Sequence, residues 1–213
     1  MGIYRRGING PFSGKAGSVV GSRWKKIDYI RGLSRPSHKE ASEAQLLQQH
    51  KFELMTAFLS PLSKVFEFSY KEDTRYKTAY NIALGYNLKW AFVEKEDEWI
   101  IDFSRIVLSR GSLPKPVDAT AEYTAEGAFL IRWQTLVRNS FVSAEDKVRL
   151  ILYNSVANIH IINTSDYERK DGEAMIKIED DDAARGIWHI FMFYSSPSGD
   201  NSSSHYLGEI TIE

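Results

Sequence analysis

The stretch IWHIFMFY, residues 187–194, decides how the second half of this chain folds. Read with a period of two, it places Trp188, Ile190, Met192 and Tyr194 on one side and Ile187, Phe191 and Phe193 on the other. A strand of a free-standing antiparallel sheet turns one face to water, so a strand that is apolar on both needs cover on both. The cover predicted for the second face is a helical segment of the same chain, with another subunit as the alternative.

Outward from this strand the same period recurs. Candidate strands are 117–123, 128–134, 147–153, 157–163, 174–178, 187–195 and 205–212, separated by turn-rich stretches such as AEG, YERKDGE and SSPSGDNSSS. Seven short strands in about a hundred residues have the size and rhythm of an immunoglobulin-like or fibronectin type III-like sandwich. Phe129, Ile131 and Trp133 point inward from the second strand, and Val148, Leu150 and Leu152 from the third. Trp133 is therefore predicted in the core. The serine-rich stretch 195–204 reads as a mobile loop, with His205 solvated behind it.

Upstream the period lengthens. Ser37-His38-Lys39-Glu40 has the form of a capping box, which predicts a helix start at Ser37. Ala44, Leu47, Leu54, Phe58 and Leu62 fall near one helical face, and Ser60-Pro61 ends or kinks that helix, with Pro61 suited to the first position of a following turn. A second helix is predicted from an N-cap at Asp73, with Tyr76, Ala79, Tyr80, Ala83 and Leu84 as its stripe. The two make a helical hairpin, and EWIIDFSRIVLSRGSLP follows as one or two strands. The predicted fold class is α+β: an N-terminal basic, Gly-rich arm (1–36), a helical hairpin segment with one or two strands (37–114), and a C-terminal immunoglobulin/fibronectin III-like β-sandwich (115–213).

The arm carries the strongest compositional signal. It holds seven of the 14 glycines, a density whose backbone entropy cost excludes a regular helix, and SVVGSRWKKIDYI within it predicts one short strand. Residues 1–38 have eight basic side chains against the single acid Asp28, a charge of +7, so the remaining 175 residues carry −8 and the chain total of −1 conceals the segregation. GPFSGKAGSVVGSRWKK is not a phosphate loop of the Walker type: Gly10 and Gly14 are separated by three residues instead of four, Ala16 stands where a hydroxyl would hold the metal, and no apolar strand precedes Gly10. It reads instead as a surface for a polyanion or a neighbouring subunit. Arg5, Arg6, Lys15, Arg23, Lys25, Lys26 and Arg31 supply charge, Trp24 anchors or stacks on bases with Tyr29, and Gly10, Gly14, Gly17 and Gly21 allow close backbone approach.

Catalytic and metal-ligating patterns are missing from the sequence. There is no cysteine, which excludes disulfides, thiolate nucleophiles and cysteine-ligated metals. His38, His50, His160, His189 and His205 are scattered without ligand spacing, and His189 reads as a packed or hydrogen-bonded residue. Glu179-Asp180-Asp181-Asp182 lacks the spacing of a calcium loop and reads as a solvated turn, available for docking of a basic arm. No G-x-S-x-G elbow accompanies the serines. Asn81 and Asn87, with Tyr76, Tyr80 and Tyr86, read as closing a helix–sheet interface through their polar tips. With 43% hydrophobic and 26% charged residues, no apolar run of membrane-spanning length and no signal peptide, the expectation is a folded protein made in the cytosol, not an enzyme, with no cofactor, no metal and no membrane partner.

GPFSGKAGSVVGSRWKKIDYIRGL, AYNIALGYNLKWAF and SSSHYLGEITIE together resemble an uncharacterised family of Bacteroidetes proteins of about this length, described as a domain of unknown function and marked by the N-terminal pattern GPFSGKxGSVVGSxWK. The resemblance implies no catalytic or binding residue. A basic arm followed by helices and a sandwich also has the plan of virion and other assembly subunits. The expected function is therefore a structural or assembly protein, a phage-related virion subunit as one form of it, which self-associates through the arm and also contacts nucleic acid there. The alternatives are a soluble nucleic-acid-binding protein using the same arm, and a binding module whose sandwich loops, 195–204 above all, take a protein or glycan.

Overall fold

The computed structural model describes residues 3–4, 10–24, 27–34, 40–71, 77–96, 98–135, 142–163, 167–178 and 184–213, and the chain divides into two units, Met1–Ser42 and Glu43–Glu213. The first is an antiparallel meander of β1 (Ile3–Tyr4), β2 (Phe12–Ala16), β3 (Val19–Trp24) and β4 (Ile27–Gly32), paired in sequence order. This corrects the expectation of an arm with one short strand. Glycine density forbids a helix but suits hairpins: Gly17 takes φ 59° in the two-residue turn that pairs Ala16 with Val19. At Gly21 any side chain would strike the backbone and ring of Phe12 on the neighbouring strand.

The second unit opens with α1 (Glu43–Leu59), which runs through a 3-10 turn at Ser60–Leu62 into α2 (Ser63–Ser69), with Pro61 at the start of the turn as its fixed φ favours. The helix begins at Glu43 and 40–42 lie outside it, while Ser37, where the capping box puts the start, lies outside the described residues; residues 43–50 are all exposed, so burial adds little support to an extension. After it comes α3 (Ala79–Trp90), capped by the Thr78 hydroxyl, which accepts from the Asn81 amide at 3.2 Å. That cap replaces the one expected at Asp73, which lies outside the described residues. A hairpin of β5 (Phe92–Lys95) and β6 (Glu98–Ile101) and a 3-10 turn at Phe103–Arg105 complete this part.

All seven strands read from the later sequence form: β7 (Thr120–Tyr123), β8 (Ala128–Arg132), β9 (Lys147–Asn154), β10 (Ile159–Asn163), β11 (Glu173–Lys177), β12 (Gly186–Ser195) and β13 (His205–Ile212). They make a three-stranded sheet, β11-β8-β7, and a four-stranded sheet, β10-β9-β12-β13, antiparallel throughout. Strand β12 serves two cores. Trp188, Ile190, Met192 and Tyr194 join Phe129, Ile131, Trp133, Val148, Leu150 and Leu152 in one, while Phe191 and Phe193 join Phe58, Leu59, Leu62 and Phe66 of the helical segment in the other. The helices thus cover the second face, which is why that strand has no polar side.

The serine-rich stretch is not the mobile loop predicted. Asn201, Ser202 and Ser204 are buried, and their polar groups tie segment 106–113 to α2 and β12: Ser204 Oγ accepts from Leu108 N (2.9 Å), Ser109 Oγ donates to Ser202 O (2.7 Å) and Asn201 Nδ2 donates to Phe68 O (2.7 Å). Short hydroxyl side chains replace strand pairing there, and a buried backbone amide must find some acceptor. His205 is half-buried, not solvated, and burial pushes its imidazole below the ordinary range.

Candidate functional site

Strand register sorts the N-terminal residues onto two faces. The pairings Lys15–Val20–Arg31, Ser22–Tyr29 and Trp24–Ile27 put those side chains on one face of the meander, with two cations and no acid. The pairings Gly14–Gly21–Ile30, Ala16–Val19–Gly32 and Arg23–Asp28 make the other. Arg23 lies on this second face by register and forms an ion pair there with Asp28, 3.6 Å apart. The structure therefore gathers Lys15, Trp24 and Arg31 and separates Arg23 from them. Arg5, Arg6, Lys25 and Lys26 lie outside the described residues, as do His38 and the acidic run 179–182.

No described side chain of this unit is buried; the one buried position is Gly21. Trp24 is 44% exposed and Ile30 64%, with Ile27, Tyr29 and Leu33 also open. In the second unit, the first half of α1 leaves Leu46, Leu47 and Phe52 exposed. Among the described residues fourteen large hydrophobic side chains are exposed, and these eight, from Trp24 to Phe52, come from one short run of sequence. The other six are scattered singly, as on any surface.

Several polar residues inside the second unit hold its elements together. Asn87 is buried on α3; its Nδ2 donates to Ala83 O (3.0 Å) and Val107 O (2.9 Å), and its Oδ1 accepts from Val107 N (2.8 Å), the interface-closing role expected of it. Tyr86 instead receives the Arg110 guanidinium over its ring, 5.0 Å from the centroid. Arg169 and Asp146 form a fully buried ion pair (3.2 Å) with the guanidinium 3.5 Å from the Tyr194 ring centroid. His160 donates Nε2–H to Phe58 O (2.9 Å), and burial pushes its imidazole down.

A cavity of about 440 Å3, which the sequence did not reveal, lies beside the β5–β6 hairpin, the 103–105 turn and the edge of β12–β13. His189, packed as expected, forms part of its wall: its ring stacks on Phe103 (centroids 3.8 Å apart, 19° between planes) and its Nδ1 lies 3.0 Å from the Tyr206 hydroxyl. A bulge brings these groups together. His189 pairs with Glu209 and Phe191 with Tyr206, so Tyr206 and Glu209 share a face although three residues apart, a spacing that puts them on opposite faces of a regular strand. Gly208, at φ 119° within the bulge, is the one mark of it in the sequence.

Among the described residues no cluster of three His, Asp or Glu side chains could hold a metal ion, and no helix is long and apolar enough to cross a membrane. No curated protein matches the chain. Among solved structures, the solution structure of the fn3 domain of human contactin 1 aligns with 49% of this chain and 82% of its own, at 9% identity and a TM-score of 0.29. The pattern of DUF6266, a family of unknown function, matches residues 11–208, and the chain belongs to that family.

Proposed function

We propose that this chain is a non-enzymatic structural or assembly protein whose N-terminal quarter mates with another chain, a phage-related virion subunit being the form its plan suggests. One observation carries the reading: among the described residues five large hydrophobic side chains of the N-terminal unit, Trp24, Ile27, Tyr29, Ile30 and Leu33, are exposed. A four-stranded sheet none of whose described side chains is buried lacks the second layer that a stable sheet requires, and exposed apolar side chains on both of its faces mark an interaction site. Strand β4, exposed along its whole length and paired on one side, offers a free edge as well. Light-scattering mass of the full chain, beside Ile30→Lys and a chain lacking residues 1–36, tests this. The expected result is a defined oligomer reduced to monomer by either change with the far-ultraviolet circular dichroism of the strands retained; unchanged mass in both would refute it.

Nucleic acid is the second reading, favoured by one feature: Trp24 and Tyr29 share a face with Lys15 and Arg31 and no carboxylate, a stacking surface beside cations. Binding of single-stranded oligonucleotide that weakens steeply with salt supports it, and a flat salt response refutes it. We further infer that the seven-stranded part is a fibronectin type III-like sandwich, supported by sheet orders β7-β8-β11 and β10-β9-β12-β13 around one core.

A further inference from the structure

The cavity beside His189 has the makings of a ligand site that the assembly reading does not use. His189 is 5% exposed, its ring is clamped by Phe103 on one side and by Tyr206 at Nδ1, and its Nε2 has no hydrogen-bond partner among the described residues. That nitrogen is not one of the fully buried unpaired polar atoms among the described residues, so it reaches solvent and is open to a ligand. The volume is within the range of small-molecule sites.

The chemistry of the wall selects the ligand's charge. No lysine or arginine lines the cavity, whereas two carboxylates do. Asp102 is already engaged: it accepts from the Ser104 amide (3.0 Å) and hydroxyl (2.5 Å) and pairs with Arg105 Nε at 3.0 Å. Glu209 has no ion pair or hydrogen bond among the described residues, so it is the uncompensated charge of the site. Tyr206, pushed up to about 12 by burial and by the carboxylates of Glu209 and Asp102, stays a neutral phenol; His189, pushed down by burial against the opposing pull of Glu209, stays a neutral imidazole. Val93 and Ile100 provide an apolar wall beside these groups.

We propose that this cavity binds a small organic ammonium ion with an apolar body. The ammonium group pairs with Glu209 and donates to His189 Nε2, which offers its lone pair when Nδ1–H is donated to the Tyr206 oxygen; the apolar body lies against Ile100 and Val93. The bulge at Gly208 exists, on this view, to bring an acceptor phenol and a free carboxylate to the same imidazole.

The test uses the full chain and three probes of one shape and different charge: benzylamine, benzyl alcohol and benzoate. Imidazole nitrogen resonances are followed by long-range proton–nitrogen correlation during titration to about 10 mM, enough to occupy even a millimolar site. Benzylamine is expected to move the His189 nitrogens toward the Nδ1–H tautomer at concentrations tenfold or more below benzyl alcohol, and benzoate to leave them unmoved. Glu209→Gln, at an exposed position, is expected to erase the preference for amine over alcohol while His160 is undisturbed. The proposal is overturned if no probe moves His189, if benzoate acts as strongly as benzylamine, or if Glu209→Gln keeps the preference.

Discussion

Removing the Asn87 side chain should uncouple α3 from the segment that follows it, by an amount the hydrogen bonds fix. Asn87 holds Val107 by both of its backbone polar groups, at 2.8 Å to the amide and 2.9 Å to the carbonyl, and these two bonds substitute for a strand that the helix cannot supply. In Asn87→Ala the Val107 amide loses its acceptor, while the carbonyl keeps a second donor, the Tyr70 hydroxyl at 2.8 Å. One orphaned, part-buried amide plus a small void costs about 2 to 3 kcal/mol. Tyr70→Phe alone leaves the carbonyl bonded to Asn87 and should cost no more than about 1 kcal/mol. The double variant strips the carbonyl of both donors, so it should exceed the sum of the singles by about 1 to 2 kcal/mol. Urea unfolding followed by tryptophan fluorescence measures all three. A cost for Asn87→Ala below about 0.5 kcal/mol, or strict additivity in the double variant, would refute the claim that Asn87 holds the Val107 backbone and shares its carbonyl with Tyr70.

Other tests address different parts of the fold. Arg169→Met leaves the buried Asp146 carboxylate without its cation and should cost about 3 to 5 kcal/mol, whereas Arg169→Met with Asp146→Asn removes both charges and should recover much of that loss in urea unfolding. Ser204→Ala orphans the buried Leu108 amide and should destabilise by about 1 to 3 kcal/mol, while Ser198→Ala on the exposed turn of the same stretch should change stability by less than about 0.5 kcal/mol; equal effects would contradict the buried role of the serines. Burial pushes His160, His189 and His205 down, so the unfolded chain binds more protons than the folded one below the ordinary histidine range. Stability should therefore fall as the pH drops from about 7 to about 5.5, and His160→Gln, which keeps a donor for Phe58 O, should flatten part of that slope; a urea midpoint that holds or rises on acidification would reverse the sign.

Much of the second unit was legible because its signals are local and periodic. The alternation in IWHIFMFY required cover on two faces, and the two cores supply it from sheet and helix. Pro61 marked the break after α1 because its missing amide and fixed φ permit few alternatives. The capping-box reading at Ser37 failed for the opposite reason: a cap pattern shows where a helix is able to start, and packing decides whether it does. Serine-rich 201–204 misled because composition distinguishes polar from apolar but not a solvated hydroxyl from one that satisfies a buried amide.

The N-terminal unit divides along the same line. Glycine density excluded a helix, and the spacing of Gly10 and Gly14 excluded a Walker loop, without any coordinates. Which cations act together depends on register, a shift of one residue being enough to exchange the faces, so only pairing could place Lys15 and Arg31 with Trp24 and send Arg23 to Asp28. The His189 cavity is the extreme case. Its groups come from residues about a hundred positions apart, and a single extra residue in β13 sets the parity that joins Tyr206 to Glu209. What the sequence determined by itself were the elements and their apolar faces, because those follow from neighbours two to about four residues away along the chain; which side chains converge was decided by tertiary pairing, because contact between distant residues depends on register and bulges that no local pattern encodes.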